Sequence, residues 1–499
     1  MTYDPRRFYE LWGEVSDLLT TEEILRWDQE TMMPQSGHVR RGHVLATLAG
    51  LRHRLLTSSE LADEVAAGLE RAARASLEHE QLAVARREID RATAVPERLV
   101  QALAAAASVG LVAWQRARQE KSFAVFAPAL ERIVELRREE AQIRAMGDHP
   151  YDGLLDEYEP GLRTARLAPL FDRLSGDLAA LVAAASSSGV EVDESAARGA
   201  FPREAQLAFG AWAAARIGFD LERGRLDAST HPFCTGLDPG DVRLTWRWDE
   251  RDFRPGLFGI LHEAGHGLYE QGLPVEWRRR PLGIARSMSL HESQSRLWEN
   301  HVGRHADFWI FAAKHFRQHF PAAPTHDPES LWRAVNRIAP GPIRVDADEV
   351  TYIAHILVRF RLELALIGGE IAVAELPAAW NDGYRTLLGL EPRDDAEGVL
   401  QDIHWATGLF GYFPTYALGS LASAQLYAAA ERDLGALGPR FAAGEPDALL
   451  RWLREHVHRH GSRYTADELL ERATGAPLSP QPFLAYARGK VDALYGVAP

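Results

Sequence analysis

Apolar residues recur at three- and four-residue spacing along most of the chain, a pattern typical of helices that bury one face. The predicted helices cover residues 5–20, 21–58, 60–90, 96–147, 166–187, 203–224, 289–320, 346–367, 372–387, 420–434 and 445–459. Strand patterns are scarce. The best lies at 241–250, where Val242, Leu244 and Trp246 alternate with polar residues. The chain is therefore predicted to be all-α with one small β-sheet.

The most loop-like stretch, residues 183–199, separates a helical N-terminal part (about 1–200) from the remainder (about 201–499). We find no repeat of fixed period, no low-complexity tract and no Gly/Ser linker. The prediction is one large helical domain over residues 1–499, with two lobes around a cleft.

Composition narrows the class of partner. The 499 residues carry a net charge of −14, and an acidic surface repels phosphate backbones, so nucleic acid is not expected as a partner. The first residues lack the apolar core of a signal peptide, and the most apolar run, 99–114, is too short to span a bilayer. The single cysteine, Cys234, can form no internal disulfide and is expected to be a buried structural thiol. A cytoplasmic protein without membrane partners is predicted.

The stretch "RPGLFGILHEAGHGLYEQGLP", residues 254–274, has the features of a helix that carries a metal site. Pro255 suits the first turn, and Gly272 suits a left-handed cap at the end. His262 and His266 are four residues apart, so both imidazoles lie on one side of the helix, within reach of one ion. Glu263 flanks that side, where a general base acting through water belongs.

Three glycines within this helix need an explanation. Gly259, Gly265 and Gly267 each cost roughly 0.5–1 kcal/mol relative to alanine in a helix interior. Close approach by another element or by a substrate would explain them. The alternative is a tightly packed core helix whose two histidines only make internal hydrogen bonds.

A catalytic zinc ion commonly has three protein ligands, so a third must come from elsewhere. Glu292 lies in a helical pattern that starts near Ser289, and it could be that ligand. Ser289 and Glu292 also have the spacing of a capping box, and spacing alone favours neither interpretation. His291 is a rival ligand. Because adjacent helix residues project about 100° apart, His291 and Glu292 are not expected to bind the same ion.

Together these segments resemble the carboxypeptidase Taq family of metallocarboxypeptidases. The resemblance begins with "HEAGH" followed by "HESQSRLWEN" and extends over residues 25 to beyond 416. The other matching segments, each in the expected order, are "LRWDQETMMP", "HPF" (231–233), "DVRLT" (241–245), "IRVDADE" (343–349) and "GVLQDIHW" (398–405). Several ordered motifs are far more specific than one short pattern.

The resemblance implies that His262, His266 and Glu292 bind zinc or cobalt, and that Glu263 is the catalytic acid/base. It implies an all-α peptidase with a deep central groove, a small sheet beside the "HEAGH" helix, and usually a homodimer. It also implies release of single residues from free peptide C-termini with broad specificity, and poor action on C-terminal proline.

The segment "DIHWATGLFGYFPTYALG", residues 402–419, offers donors for the oxyanion that forms during peptide hydrolysis. By similarity to related helical zinc peptidases, His404 and one tyrosine serve there. We favour Tyr416 over Tyr412; the alternative for both tyrosines is core packing.

An exopeptidase must recognise the terminal carboxylate, which an arginine can bind in bidentate fashion. Arg344 is the candidate; it precedes a helix predicted to open at Asp346, and its alternative is a surface ion pair with Asp346 or Asp348. Arg243 is the rival. By the resemblance, the "HPF" and "DVRLT" segments close one end of the groove, so His231 and Arg243 limit substrate length.

Two other functions remain compatible with these residues: a helical zinc endopeptidase or dipeptidase with the same core, and a catalytically inactive helical binding protein. A further group, His456, His458 and His460, is expected to be a polar helix end.

Overall fold

The structure, a computed structural model, describes residues 4–497. Helices account for 69% of the protein, and the only other regular element within the described residues is a three-stranded sheet, which confirms the predicted class. The helices are α1 (Arg6–Thr31), α2 (His38–Leu56), α3 (Ser59–Arg71), α4 (Leu77–Ala94), α5 (Glu97–Glu120), α6 (Ala127–Arg144), α7 (Tyr151–Tyr158), α8 (Thr164–Ser187), α9 (Arg203–Arg216), α10 (Arg254–Gly272), α11 (Met288–Arg296), α12 (Ala306–His319), α13 (Pro328–Asn336), α14 (Glu349–Gly368), α15 (Leu376–Leu388), α16 (Pro414–Leu434), α17 (Gly438–Ala442), α18 (Asp447–His456), α19 (Ala466–Thr474) and α20 (Gln481–Tyr495).

The sheet lies beside α10. Its strands are β1 (Gly224–Ala228), β2 (Cys234–Asp238) and β3 (Asp241–Trp246), in the order β1-β3-β2. β3 pairs parallel with β1 and antiparallel with β2. Val242, Leu244 and Trp246 are buried in the same core as α10, as their alternation predicted, because one face of a strand packs while the other is left for polar groups.

Two large hydrophobic cores meet at α16. One joins residues 117–192 with 338–424 and 483–495, and the other joins residues 196–335 with 422–473. Leu421 of α16 belongs to the first core and Leu426 to the second. A third, smaller core around Phe8, Leu61 and Leu82 holds α1, α3 and α4 together. The first core combines segments from before and after residue 200, so the two sequence parts that meet there do not have separate hydrophobic cores.

The single-domain prediction over 1–499 stays a prediction, and its ends, residues 1–3 and 498–499, lie outside the described residues. Among the described helices, none is by itself long and apolar enough to cross a bilayer. Only α4 and α5 together meet that test, and they are bent by 77°.

Several predicted helix boundaries were wrong. The predicted helices 21–58 and 96–147 are each interrupted, at 32–37 and at 121–126. The helix predicted to open at Asp346 begins at Glu349, because Asp348 is the residue whose side chain accepts hydrogen bonds from the first backbone N–H groups. α16 begins at Pro414, not near residue 420, so Tyr416 lies in its first turn.

Candidate metal centre

The helix α10 begins with Pro255 in its first turn, as predicted. Neighbouring elements explain Gly265 and Gly267, whereas Gly259 has only Pro232 at 3.9 Å. A β-carbon at Gly265 would lie 2.6 Å from the carbonyl oxygen of Gln294, so the bare backbone lets α11 come close. A β-carbon at Gly267 would lie 2.6 Å from the ring of Phe219. Gly272 is not the predicted left-handed cap: it is the last helical residue and lies against the ring of His458.

Three side chains of α10 and α11 converge on one point. His262, His266 and Glu292 each offer a ligand atom, and these atoms all lie within 4.8 Å of one another. Oε2 of Glu292 is 3.5 Å from Nε2 of His262 and 3.4 Å from Nε2 of His266. The family resemblance implied this trio, and the packing of α11 on Gly265 is what brings Glu292 to the two histidines.

The trio fits a divalent metal ion. On a tetrahedral ion with bonds of about 2.1 Å, two ligand atoms lie about 3.4 Å apart, which matches the separations of Glu292 from His262 and His266. Imidazole nitrogens and a carboxylate oxygen suit zinc and several other transition metals. The donor set and spacing thus support a metal site without selecting one metal.

Charged side chains hold His262 and Glu292, two of the three candidate ligands, in place. Nδ1 of His262 lies 3.0 Å from Oε2 of Glu299. Arg296 donates from Nε to Oε1 of Glu292 at 2.7 Å and pairs with Glu299 at 3.3 Å. Burial raises the pKa of Glu292, but Arg296 and His262 outweigh it, so the pKa lies well below its ordinary value. The carboxylate of Glu292 is therefore ionised and oriented.

The capping-box interpretation of Glu292 was wrong. The residue that caps α11 is Ser287, whose side chain accepts from the backbone N–H of Leu290 at 3.2 Å. Ser289 instead donates from its backbone and its hydroxyl to the buried carboxylate of Glu159, at 2.6 and 2.7 Å. Glu292 is thus free of any capping role.

Glu263 is a buried carboxylate, 6% exposed, beside the trio. Within residues 4–497 it makes no hydrogen bond and no ion pair, unlike Glu292 and Glu299. Burial raises the pKa of Glu263 to about 7, against the opposing charge of His262. A buried carboxylate with no protein partner is available to water or substrate.

A histidine and two tyrosines that the sequence analysis named lie together at the start of α16, the helix that packs against Glu292 at Gly419. Nε2 of His404 is 3.3 Å from the hydroxyl of Tyr416, and the rings of Tyr412 and Tyr416 are 5.3 Å apart. Burial raises the pKa of Tyr416 well above its ordinary value, and the neighbouring Tyr412 raises it further. Burial lowers the pKa of His404 to about 4, so its imidazole is neutral near pH 7.

Arg344 is buried, and the surface ion pair with Asp346 or Asp348 was wrong. Its Nε and one terminal nitrogen donate to Oδ1 of Asp402 at 2.9 and 2.8 Å, and the other terminal nitrogen donates to the hydroxyl of Tyr352 at 3.1 Å. Its guanidinium carbon lies 5.2 Å from the ring centre of Tyr416. Arg344 therefore belongs to the same cluster of side chains as Tyr352 and Tyr416.

The structure does not bring Arg243 and His231 to the trio. Arg243 pairs with Asp241 at 2.8 Å and stacks on the ring of Trp27 at 4.4 Å. His231 is exposed in the segment before β2, where its carbonyl oxygen accepts from Ser229. Their roles in limiting substrate length stay predictions.

Several supporting residues escaped the sequence analysis. Glu299 and Asp402 are acidic residues with ordinary local patterns, and only their partners, His262 and Arg344, reveal them. Tyr352 was assigned no role from the sequence, yet its ring lies 4.2 Å from the guanidinium of Arg296. A polar helix end was the wrong expectation for His458, which is fully buried and lies 2.9 Å from Oε1 of Gln294 in α11.

Comparison with known proteins agrees with this geometry. Residues 7–491 match the family model described as carboxypeptidase Taq (M32) metallopeptidase. The chain belongs to that family. It is 44% identical to thermostable carboxypeptidase 1 of Thermus thermophilus, over 98% of each protein, and 35% identical to carboxypeptidase 1 of Bacillus subtilis, over 99% of each.

Solved structures of carboxypeptidases also match the chain over nearly its whole length. The M32 carboxypeptidase from Deinococcus radiodurans superposes with a TM-score of 0.96 at 38% identity, covering 99% of both chains. A Pyrococcus furiosus carboxypeptidase structure gives 0.95 at 35% identity, covering 97% of this chain and 98% of the other. The protein is therefore a metallocarboxypeptidase, a hydrolase, and the family implies a divalent metal and peptide substrates.

Proposed function

We propose that this protein releases single residues from free peptide C-termini with broad specificity, acts poorly on C-terminal proline, and uses Glu263 as its general base and acid. The observation that carries the proposal is the position of Glu263. It is a buried carboxylate without a protein partner, next to three converging ligand atoms. An inactive binding protein would have no use for such a costly group.

His262, His266 and Glu292 would hold the ion, with zinc favoured and cobalt the alternative. When bound, a divalent metal supplies Lewis-acid chemistry, polarising the scissile carbonyl and making water more acidic. Glu299 and Arg296 keep His262 and Glu292 oriented for that task.

Glu263 takes a proton from the attacking water and then delivers it to the leaving amine. The tetrahedral intermediate carries an oxyanion, and the hydroxyl of Tyr416 donates to it. Nε2 of His404 lies 3.3 Å from that hydroxyl, so His404 either donates to the oxyanion as well or orients Tyr416. A donor of this kind typically contributes about 3–4 kcal/mol to the transition state.

Arg344 recognises the terminal carboxylate of the substrate. A guanidinium has five N–H donors, and three hydrogen bonds engage those of Arg344: two to Asp402 and one to Tyr352. Two N–H groups, one on each terminal nitrogen, are left for a ligand. Asp402 thus fixes the orientation of Arg344 and still leaves two of its N–H groups free to bind a carboxylate.

A peptide with a free C-terminus and its amidated copy test the reaction. We expect stepwise loss of single C-terminal residues from the free-acid peptide only, followed by mass spectrometry. Internal fragments from both peptides would contradict the proposal and favour the endopeptidase. Hydrolysis of free dipeptides with the longer peptides left intact would favour the dipeptidase.

Glu263→Gln tests the role of the base. The variant should retain its metal, because Glu263 is not a ligand, and should lose at least about a hundredfold in kcat. Metal content measured on the same sample is the control. A variant with unchanged kcat would refute the role of Glu263.

The homodimer that the family resemblance implies is a separate proposal. Light scattering on the purified full chain should give twice the monomer mass of 55.5 kDa; a monomer at micromolar concentration would contradict it.

A further inference from the structure

The two histidines of the candidate metal centre are supported from behind by different groups. His262 contacts a carboxylate directly, with Nδ1 3.0 Å from Oε2 of Glu299. His266 contacts a second imidazole instead, with its Nδ1 2.6 Å from Nδ1 of His291. Nε2 of His291 in turn lies 2.7 Å from Oε1 of Glu270. His266, His291 and Glu270 therefore form a chain of three side chains, which we call the imidazole relay.

The order of donors in the relay follows from its two ends. A hydrogen bond between two neutral imidazoles needs one N–H and one bare nitrogen. Nε2 of His266 faces the ligand cluster, 3.4 Å from Oε2 of Glu292, so the proton of His266 is on Nδ1 and is donated to His291. His291 accepts at Nδ1 and donates its own proton from Nε2 to Glu270. Because the carboxylate oxygen of Glu270 accepts this hydrogen bond, Glu270 sets the tautomer of both rings.

Packing holds the side chains of the relay in place. The rings of His266 and His291 stack with centroids 4.5 Å apart, and the ring of Tyr269 lies 5.6 Å from His291. Glu270 is four residues beyond His266, hence on the same side of α10. Gly236 of β2 makes room for it, since a β-carbon there would overlap Oε2 of Glu270. The β-sheet thus reaches the metal centre through this carboxylate.

We propose that His291 and Glu270 are positioning residues for the reaction: they fix the tautomer and ring orientation of His266 so that its Nε2 stays a metal ligand. The inference rests on the proposed metal ligation by His266. It assigns no chemical step to either residue, because both act through His266.

Cobalt affinity of the full chain, freed of metal by a chelator, tests the relay. Co²⁺ is titrated against a competing chelator, and the visible absorption of the bound ion reports the geometry of the site. Loss of a group that supports a metal ligand typically costs 10–100-fold in affinity. His291→Phe keeps a ring but no hydrogen bond, so its dissociation constant should rise by about that factor and its absorption spectrum should change.

Glu270 offers a graded second test that does not depend on His291→Phe folding. Glu270→Leu removes the acceptor and should weaken Co²⁺ binding by about tenfold or more, within the range for such groups. Glu270→Gln keeps an amide oxygen that can accept from Nε2 of His291, so most of the affinity should return. Equal affinities for wild type, Glu270→Leu and Glu270→Gln would overturn the proposal.

Two control variants separate the possible failures. Tyr269→Phe removes a hydroxyl from a ring that packs on His291 but hydrogen-bonds to no relay residue, so wild-type affinity is expected. His266→Ala should abolish tight binding. If His266→Ala binds Co²⁺ normally, the proposed metal site is wrong. If it loses binding while His291→Phe and Glu270→Leu retain it, only the relay is wrong.

Discussion

The two walls of the site are built in different ways. The metal wall comes from α10 and α11, where His262, His266 and Glu292 lie within one short stretch of chain. The proposed substrate wall consists of Arg344, His404 and Tyr416 and is assembled from distant segments. Arg344 lies before α14, His404 in a loop and Tyr416 in the first turn of α16. The metal wall depends on helix periodicity, whereas the substrate wall depends on buried charges that hold separate segments together.

The anchor of the substrate wall is Asp402. It accepts hydrogen bonds from Arg344 and from the fully buried Arg359, at 2.8 and 2.6 Å. Burial raises the pKa of Asp402, but the two arginines outweigh it and hold the pKa well below its ordinary value. A charge that is costly to bury is thereby stabilised, and the arginine that would meet the substrate is fixed in place.

The largest effect on the substrate wall is expected for Tyr416→Phe. Loss of one oxyanion donor should lower kcat about 10²–10³-fold with little change in metal content. Tyr412→Phe, which removes the hydroxyl of the neighbouring ring, should lower kcat less than tenfold. Steady-state kinetics on one tripeptide compares the two variants. A larger loss of kcat in Tyr412→Phe would show that Tyr412, and not Tyr416, is the oxyanion donor.

Arg344→Met should weaken recognition of the terminal carboxylate of the substrate. A hydrogen bond to a charged group contributes about 1.5–3 kcal/mol, so kcat/KM on a free-acid peptide should fall roughly 10–100-fold. The discriminating measurement is the ratio of kcat/KM for free-acid and amidated peptides, which general damage to the fold would not change. Arg243→Met should alter that ratio less. If Arg243→Met alone removed the preference for the free-acid peptide, Arg243 would be the residue that binds the terminal carboxylate.

Gly419→Ala should disturb the metal wall from α16. A β-carbon at Gly419 would lie 2.5 Å from Cγ of Glu292, so the new methyl group must displace that side chain. We expect a metal affinity at least about tenfold weaker, as for loss of a supporting group.

Gly259→Ala is the matched control within α10. Its methyl group would meet only Pro232, at 3.9 Å. It should keep its metal and gain up to about 1 kcal/mol in unfolding free energy, because alanine favours a helix interior. Equal metal affinity in both variants would show that Glu292 does not need the space beside Gly419.

The smallest expected effect concerns Glu363, which binds the segment between His404 and Tyr416 at Trp405 and Gly411. It accepts from Tyr151, Trp405 and the backbone of Gly411, at 2.6, 2.8 and 3.0 Å. Burial raises the pKa of Glu363 from 4.5 to about 7 despite these donors. In that interval the folded protein keeps a proton that the unfolded chain releases, so stability falls as pH rises from about 4.5 to 7.

Glu363→Gln removes this titration. The difference in Tm between pH 5 and pH 8, taken as the pH 5 value minus the pH 8 value, should be smaller in the variant than in the wild type. Differential scanning calorimetry measures both. An identical difference would show that Glu363 titrates alike in the folded and unfolded states.

The same contrast explains what could be predicted from the sequence. Helix periodicity alone placed His262 and His266 on one side of α10, and the family resemblance added Glu292. Neither could reveal that Arg344 pairs with Asp402, because that contact joins segments 58 positions apart through burial. Nor could His458, which looked like part of a polar helix end, be recognised as a buried contact of α11.

The most direct test of the account is a crystal structure of the full chain loaded with zinc, with anomalous diffraction collected at the zinc edge. We predict one strong site bound by Nε2 of His262, Nε2 of His266 and a carboxylate oxygen of Glu292, with Glu263 beside it and uncoordinated. An ion bound by His291 in place of Glu292, or by Glu263 itself, would contradict the account.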